Sequence, residues 1–364
     1  MSDPREIARA FFPDQTVLDV RPHGEGLIND TFLLVVGGEA TPRAVLQRIN
    51  TRVFSHPERI MDNLRTLQAH VATRQAALPA DERRLRLPEI VATRGGQDWL
   101  LDQQGGFWRA LSFIGGSRTL ERIEDPGQAR EVGWAVGRFH RLTSDLDPNL
   151  LNLTLPGFHV TPGYLERFDR VIERAQLPVD NRYVERAIQW VEAHRELAPV
   201  LEDARRAGQL LVRVIHGDPK LDNLLFDSAG TEVLGVIDLD TVQPGLVHYD
   251  LGDCVRSCCN TAGETAQAPR FDVRLCLALL EGYLLEAHNF LRPPEYPYLY
   301  NAIRLLPFEL GLRFLTDHLE GDLYFKVQAP GQNLQRALAQ FRLMDNIEAE
   351  GDRIRRMVAD LAPG

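Results

Sequence analysis

The chain has 364 residues, of which 44% are hydrophobic and 25% charged, and its net charge is -10. That length exceeds one typical core, so two lobes are expected, and the acidic balance excludes a general nucleic-acid binder, which carries a basic stripe. No apolar run is long enough for a membrane span, and "MSDPREIARAFFPD" lacks the apolar centre of a signal peptide, so a cytoplasmic protein is expected.

In chain order, the first hundred residues read as strands with one long helix. "TVLDVRPHGEGLINDTFLLVV" places two strands around a glycine-containing bend, and "RAVLQRI" forms a third. In "SHPERIMDNLRTLQAHVATRQAAL", Ser55 is the predicted N-cap, with Pro57 and Glu58 in the first turn. Ile60, Met61, Leu64, Leu67 and Val71 fall at helical spacing and form one packing face. "LPEIVAT", "DWLLDQ" and "FWRALSFI" supply further strands. Beyond "GGSRTLERI" the pattern turns helical. Val132, Ala135, Val136, Phe139 and Leu142 form one stripe, and further helical patterns cover 182–206, 270–290, 297–319 and 334–358. Among them lies a β-rich island, "LLVRVIHGDPKLDNLLFDSAGTEVLGVIDLDTV". The expected fold is therefore α+β and bilobal. A small β-sheet lobe spans 1–115, a larger, mainly helical lobe spans 116–364, and a ligand cleft lies between them.

Cys254, Cys258, Cys259 and Cys276 fit no zinc-binding spacing. They read as small buried apolar side chains of a protein in a reducing compartment.

The island carries the chemistry. Asp218 and Asn223 share a loop, and Asp238 follows a hairpin-like turn at "DSAG". If the flanking strands pair, Asp238 returns beside Asn223. One amide oxygen and one carboxylate then face the same spot, an arrangement suited to Mg²⁺, which takes few protein oxygens. Asp218 lies close by as a carboxylate able to accept a proton from a hydroxyl.

The protein-kinase catalytic loop runs H-R-D-x-x-x-x-N and is followed by a metal-binding Asp. His216-Gly217-Asp218, Asn223 and the Asp238 of "GVIDLDT" keep that spacing. The variant "HGDxxxxN…IDxD" resembles the aminoglycoside phosphotransferase and choline kinase branch of the kinase-like superfamily. "LQRIN", "DLGDCVRS" and "LGLRFLTDHLEGDLYFKV" extend the similarity to bacterial N-acetylhexosamine 1-kinases, over about residues 24–327. The resemblance implies a protein-kinase-like fold, ATP as co-substrate, Mg²⁺ as cofactor and a small hydroxylated acceptor such as an amino sugar, with no nucleic-acid or membrane partner.

It also implies roles. Asp218 orients or deprotonates the acceptor hydroxyl and, with Asp238, lies against the substrate. Asn223 and Asp238 hold Mg²⁺. Lys220 either balances phosphoryl charge or is a solvated loop lysine. Asp250 braces the loop, Asp240 has a structural or outer metal role, and His140 is structural. Gly24 and Gly26 belong to a nucleotide loop short of a full G-x-G-x-x-G. Adenine contacts fall around Leu111 to Phe113. The wider kinase pattern has a lysine on the third strand, where this chain has Gln47 with Arg48 beside it. Alternate strand residues face opposite ways, so only one of the two can enter the cleft. Arg313 and Tyr324 are implied to reach the sugar. The plain alternatives are an Arg313 pairing with Glu309 and a Tyr324 in the core.

Three readings follow. The first is a kinase for the anomeric hydroxyl of N-acetylglucosamine or N-acetylgalactosamine. The second is a kinase for an aminoglycoside, choline or another small alcohol. The third is a nucleotide-binding pseudokinase.

Overall fold

Two hydrophobic faces organise the amino-terminal sheet in the computed structural model, which describes residues 2–23, 28–38, 41–174, 182–263 and 266–363. A short helix α1 (Pro4–Phe11) is capped by Asp3, whose side chain accepts the Arg5 N–H. It precedes β1 (Val17–Pro22), β2 (Asp30–Val36) and β3 (Ala44–Ile49). After α2 (Pro57–Ala76) come β4 (Ile90–Val91), β5 (Trp99–Leu101) and β6 (Phe107–Ser112). The antiparallel order is β1-β2-β3-β6-β4, with β5 also on β6. Ile7, Ala8 and Phe11 of α1 cover one face, against Leu34, Leu46, Trp108 and Ala110. The five apolar positions read on α2 are all buried, in the core that also takes Phe107 and Leu111.

Two details differ from the sequence reading. Helix α1 has no counterpart in it, because eight residues give a weak periodic signal. The N-cap of α2 is His56 rather than Ser55, and it makes no capping bond. Pro57 at the first helical position sets the start instead.

The remainder is mainly helical, which gives the expected bilobal α+β architecture. It begins with β7 (Ser117–Arg118) and α3 (Pro126–Thr143), then α4 (Thr161–Arg174), α5 (Arg182–Ala193) and α6 (Val200–Arg206). The pattern read over 182–206 is thus two helices, separated by a 3₁₀ turn at Arg195–Leu197 and by Pro199. Four strands follow: β8 (Arg213–Ile215), β9 (Leu224–Asp227), β10 (Val233–Val236) and β11 (Gln243–Gly245). Last come α7 (Val247–Cys258), α8 (Val273–Ala287), α9 (Pro297–Leu319), α10 (Gln332–Ala349) and α11 (Gly351–Leu361). Helices α3 and α8 meet almost backbone to backbone. A Cβ on Gly133 would lie 1.9 Å from the Leu279 carbonyl oxygen, and one on Gly282 2.0 Å from that of Arg130.

The hairpin expected around "DSAG" forms: β9 and β10 pair antiparallel, with Leu224 opposite Val236. Strand β8 pairs with β11. Residues 216–223 and 237–242 therefore leave neighbouring strands as two adjacent loops. The four cysteines are free and buried, as read. No described helix is long and apolar enough to cross a membrane.

Candidate active site

One buried carboxylate holds the loop that follows β8. Asp250, fully buried on α7, accepts the His216 N–H at 2.6 Å and the Gly217 N–H at 2.8 Å. His140 Nε2 lies 2.8 Å from the same carboxylate, and its Nδ1 meets the Tyr283 hydroxyl at 3.1 Å. Burial lowers the His216 pKa and favours the neutral ring. Its Nε2–H then donates to the Ile237 carbonyl (3.0 Å), while Nδ1 accepts the Asp218 N–H (3.3 Å). Thr241 Oγ1 donates to the His216 carbonyl at 2.8 Å, closing the two loops together. At Gly217, φ is +87°, and a Cβ would sit 2.7 Å from the Thr241 carbonyl oxygen. Only glycine fits this crossing.

These bonds bring Asp218, Asn223 and Asp238 to one place. Asp218 Oδ2 accepts from Lys220 Nζ at 2.8 Å and from Asn223 Nδ2 at 3.2 Å. Asn223 Nδ2 also donates to the Asp218 carbonyl at 2.7 Å. The Ile237 N–H donates to the Asn223 carbonyl at 2.9 Å and ties the end of β10 to the loop before β9. Asp238 itself is exposed and takes the left-handed conformation, φ 61° and ψ 57°. The protein crowded around the cleft floor, and then Asp240 and Asp218, push its carboxyl up to about 7. Burial and then Asp253 also raise Asp218, against the opposing charge of Lys220. Such a cluster of acids favours a bound cation. The donor set fits a small hard one: it is all oxygen, and Asn223 Oδ1 accepts no hydrogen bond among the described residues.

The sheet forms the opposite wall. Gln47 and Arg109 lie side by side on β3 and β6. Gln47 Oε1 accepts from Arg109 Nε at 3.0 Å and from Nη2 at 2.7 Å, while Gln47 Nε2 donates to Thr31 Oγ1. Arg109 Nη2 also donates to Asp240, whose other oxygen accepts from Asn29 Nδ2 at 2.8 Å. Each Asp240 oxygen thereby accepts a bond from the small lobe, which makes Asp240 a link between lobes. Arg48 faces the other way, beside Trp108 and the Asp102–Gly106 turn. It is outside the cleft, which corrects its place among the nucleotide-binding candidates. Leu111 is a core residue opposite Val45 and Ile90, and the Phe113 N–H is already bonded to the Arg43 carbonyl at 3.0 Å. The Phe113 amide is therefore not available to adenine in this conformation. Gly24 and Gly26 lie outside the described residues.

A cavity of about 210 Å³ lies on the α9 side of the 216–223 loop, with Arg313 and Tyr324 in its lining. Arg313 sits over the rings of Tyr164, Phe158 and Phe325, at 5.0, 5.4 and 5.6 Å from their centres. Its nearest acid, Glu309, is 3.9 Å away. Glu309 instead accepts from Thr161 Oγ1 at 2.7 Å and pairs with His159 Nδ1 at 2.9 Å. The pairing with Glu309 is thus loose, and Tyr324, 54% exposed at the rim, is not a core residue. His159 Nε2 reaches the Gly217 carbonyl at 2.8 Å and so joins cavity and loop. Burial opposes a charged His159, but the Glu309 carboxylate overrides it and raises the pKa.

The sequence reading missed Arg109, His159 and Asp253, and it named Glu309 only as a partner for Arg313. Arg109 had a signal, a lone charge inside the apolar strand "FWRALSFI". Asp253 lies three residues after Asp250, is buried and bonds Arg256 Nε at 2.8 Å. His159 and Glu309 gave no local signal, because their partners are distant in sequence.

A family model described as the phosphotransferase enzyme family matches residues 19–290. The chain belongs to the phosphotransferase enzyme family. The matched span of this phosphotransferase includes Asp218, Asn223 and Asp238 but stops before Arg313. Solved structures share its fold at low identity. An aminoglycoside phosphotransferase from Alicyclobacillus acidocaldarius is 14% identical with a TM-score of 0.64, covering 94% of this chain and 93% of that one. A microcompartment-associated aminopropanol kinase is 16% identical with a TM-score of 0.61, covering 96% and 97%. An amicoumacin kinase in complex with AMP-PNP and Ca²⁺ is 16% identical with a TM-score of 0.57, covering 95% and 92%.

Proposed function

We propose that this phosphotransferase uses ATP and Mg²⁺ to phosphorylate the anomeric hydroxyl of an N-acetylhexosamine, giving the sugar 1-phosphate. The meeting of Asp218, Asn223 and Asp238 at one end of the β9–β10 hairpin carries the reading. Asn223 Oδ1 and the Asp238 carboxylate would hold Mg²⁺, which neutralises phosphate charge when bound. Asp218 Oδ2 is engaged by Lys220 and Asn223, which leaves Oδ1 to accept the hydroxyl proton. Lys220 keeps Asp218 oriented and lies close enough to offset charge on the transferring group. The small lobe, residues 1–115, carries the nucleotide, and the rest carries the acceptor.

The cavity supports a sugar as the acceptor. Aromatic faces suit the apolar side of a sugar ring, and the Arg313 donors suit hydroxyls and an acetamide carbonyl. A cation at this position disfavours a polycationic aminoglycoside or choline. The relatives named for aminoglycosides and aminopropanol keep those acceptors as the second reading.

The deciding experiment is an acceptor screen with ATP and Mg²⁺ across hexosamines, aminoglycosides, aminopropanol and choline, with phosphorus NMR of any product. A 1-phosphate of an N-acetylhexosamine is expected. Preferential phosphorylation of an aminoglycoside would replace the first reading with the second, and turnover of none would favour a nucleotide-binding pseudokinase.

A further inference from the structure

The guanidinium of Arg109 is 1% exposed and lies on the cleft face of the sheet, where Gln47 and Asp240 hold it from two sides. Its Nη1 is buried and has no hydrogen-bond partner among the described residues. An interior donor left unbonded is costly, more so on a charged group, and each case in a folded protein asks for an explanation. Here the explanation is positional. The carbonyl of Gln47 is turned onto Arg109 rather than into the cleft. Arg109 bonds Asp240, which lies on the turn that begins at Asp238, so the guanidinium and those acids share one neighbourhood. Gln47 and Asp240 fix its orientation before any ligand arrives.

We propose that Arg109 is the fixed cation of the nucleotide site and that its Nη1 donates to a phosphate oxygen of the bound nucleotide. Gln47 is then a positioning residue: it aims Arg109 in place of contributing a cation itself. Because Asp240 offsets much of the charge, the effect is that of one directed, charge-assisted bond. This inference rests on the phosphotransferase reading above.

The test separates phosphate binding from lobe anchoring. The full chain is titrated calorimetrically with ADP and with adenosine, in EDTA and again with Mg²⁺. Two variants are compared with it, Arg109→Gln and the double variant Arg109→Gln with Asp240→Asn, which leaves no lone buried carboxylate. Both should lose roughly 10- to 100-fold in ADP affinity while adenosine affinity stays within about twofold. Adding Gln47→Lys to the double variant should recover about tenfold of the ADP affinity, because it restores a cation to the same face. Equal losses for ADP and adenosine, or unchanged ADP affinity, would overturn the proposal and leave Arg109 a link between lobes. If the unaltered chain binds neither ligand, the phosphotransferase reading fails, and this inference fails with it.

Discussion

Asp218 and Arg313 occupy neighbouring sites that are built by different means. Asp218 lies on a loop whose path is set by backbone hydrogen bonds: two N–H groups to Asp250, and the Ile237 N–H to the Asn223 carbonyl. Arg313 lies on α9 and is placed by side-chain packing against Phe158, Tyr164 and Phe325, from three separate segments. The loop path thus depends on main-chain groups and on one buried carboxylate, Asp250. Side-chain packing can be altered one residue at a time. On the proposed reading, the reacting group is held firmly and the acceptor preference is open to change.

Substitutions should divide along that line. The largest effect belongs to Asp218→Asn, which keeps the shape and removes the proposed proton acceptor. Steady-state kinetics should show kcat falling by roughly 10²- to 10⁴-fold, with ADP affinity and melting temperature nearly unchanged. Activity near that of the unaltered chain would sink the role assigned to Asp218.

Asp250→Ala strikes the brace. It strands the two loop N–H groups and His140 in the interior, and urea unfolding should show a loss of about 3–5 kcal/mol. A change below about 1 kcal/mol would mean that the loop is not held this way.

His248, also on α7, gives a pH signature. Burial lowers its pKa to about 4, against the pull of the Glu295 carbonyl, and its buried Nδ1 has no partner among the described residues. The unfolded chain takes up this proton below about 6.5 and the folded chain only near 4. Between those values the unfolded state binds more protons, so stability falls as pH drops, by about 3 kcal/mol in total. His248→Gln should flatten that part of the stability profile. An identical acid limb in the variant would remove His248 as its source.

The smallest effects belong to the cavity. Arg313→Ala should raise the acceptor KM roughly 10- to 100-fold and leave the ATP KM within about twofold. Tyr324→Phe, at the exposed rim, should change it by less than about threefold. A collapse of kcat in either variant would merge the two sites into one and break the comparison.

The same division explains what could be read from sequence. The spacing of Asp218, Asn223 and Asp238 was legible because a single hairpin brings them together. The α2 face was legible because Ile60, Met61, Leu64, Leu67 and Val71 repeat at helical spacing. Helix ends and breaks were less so: the pattern over 334–358 is interrupted at Glu350, between α10 and α11. The link from Gln47 through Arg109 to Asp240 was hidden because it needs the β3–β6 register and the approach of the two lobes. The His159–Glu309 pair was hidden for a like reason, joining residues 150 apart.

Gly217 carries no functional group, yet its backbone passes against Thr241 where no side chain has room. In a saturation library it should be as intolerant of replacement as Asp218 beside it. A directed-evolution campaign aimed at new acceptors would do well to leave residues 216–218 unrandomised and place its diversity around Arg313 and Tyr324.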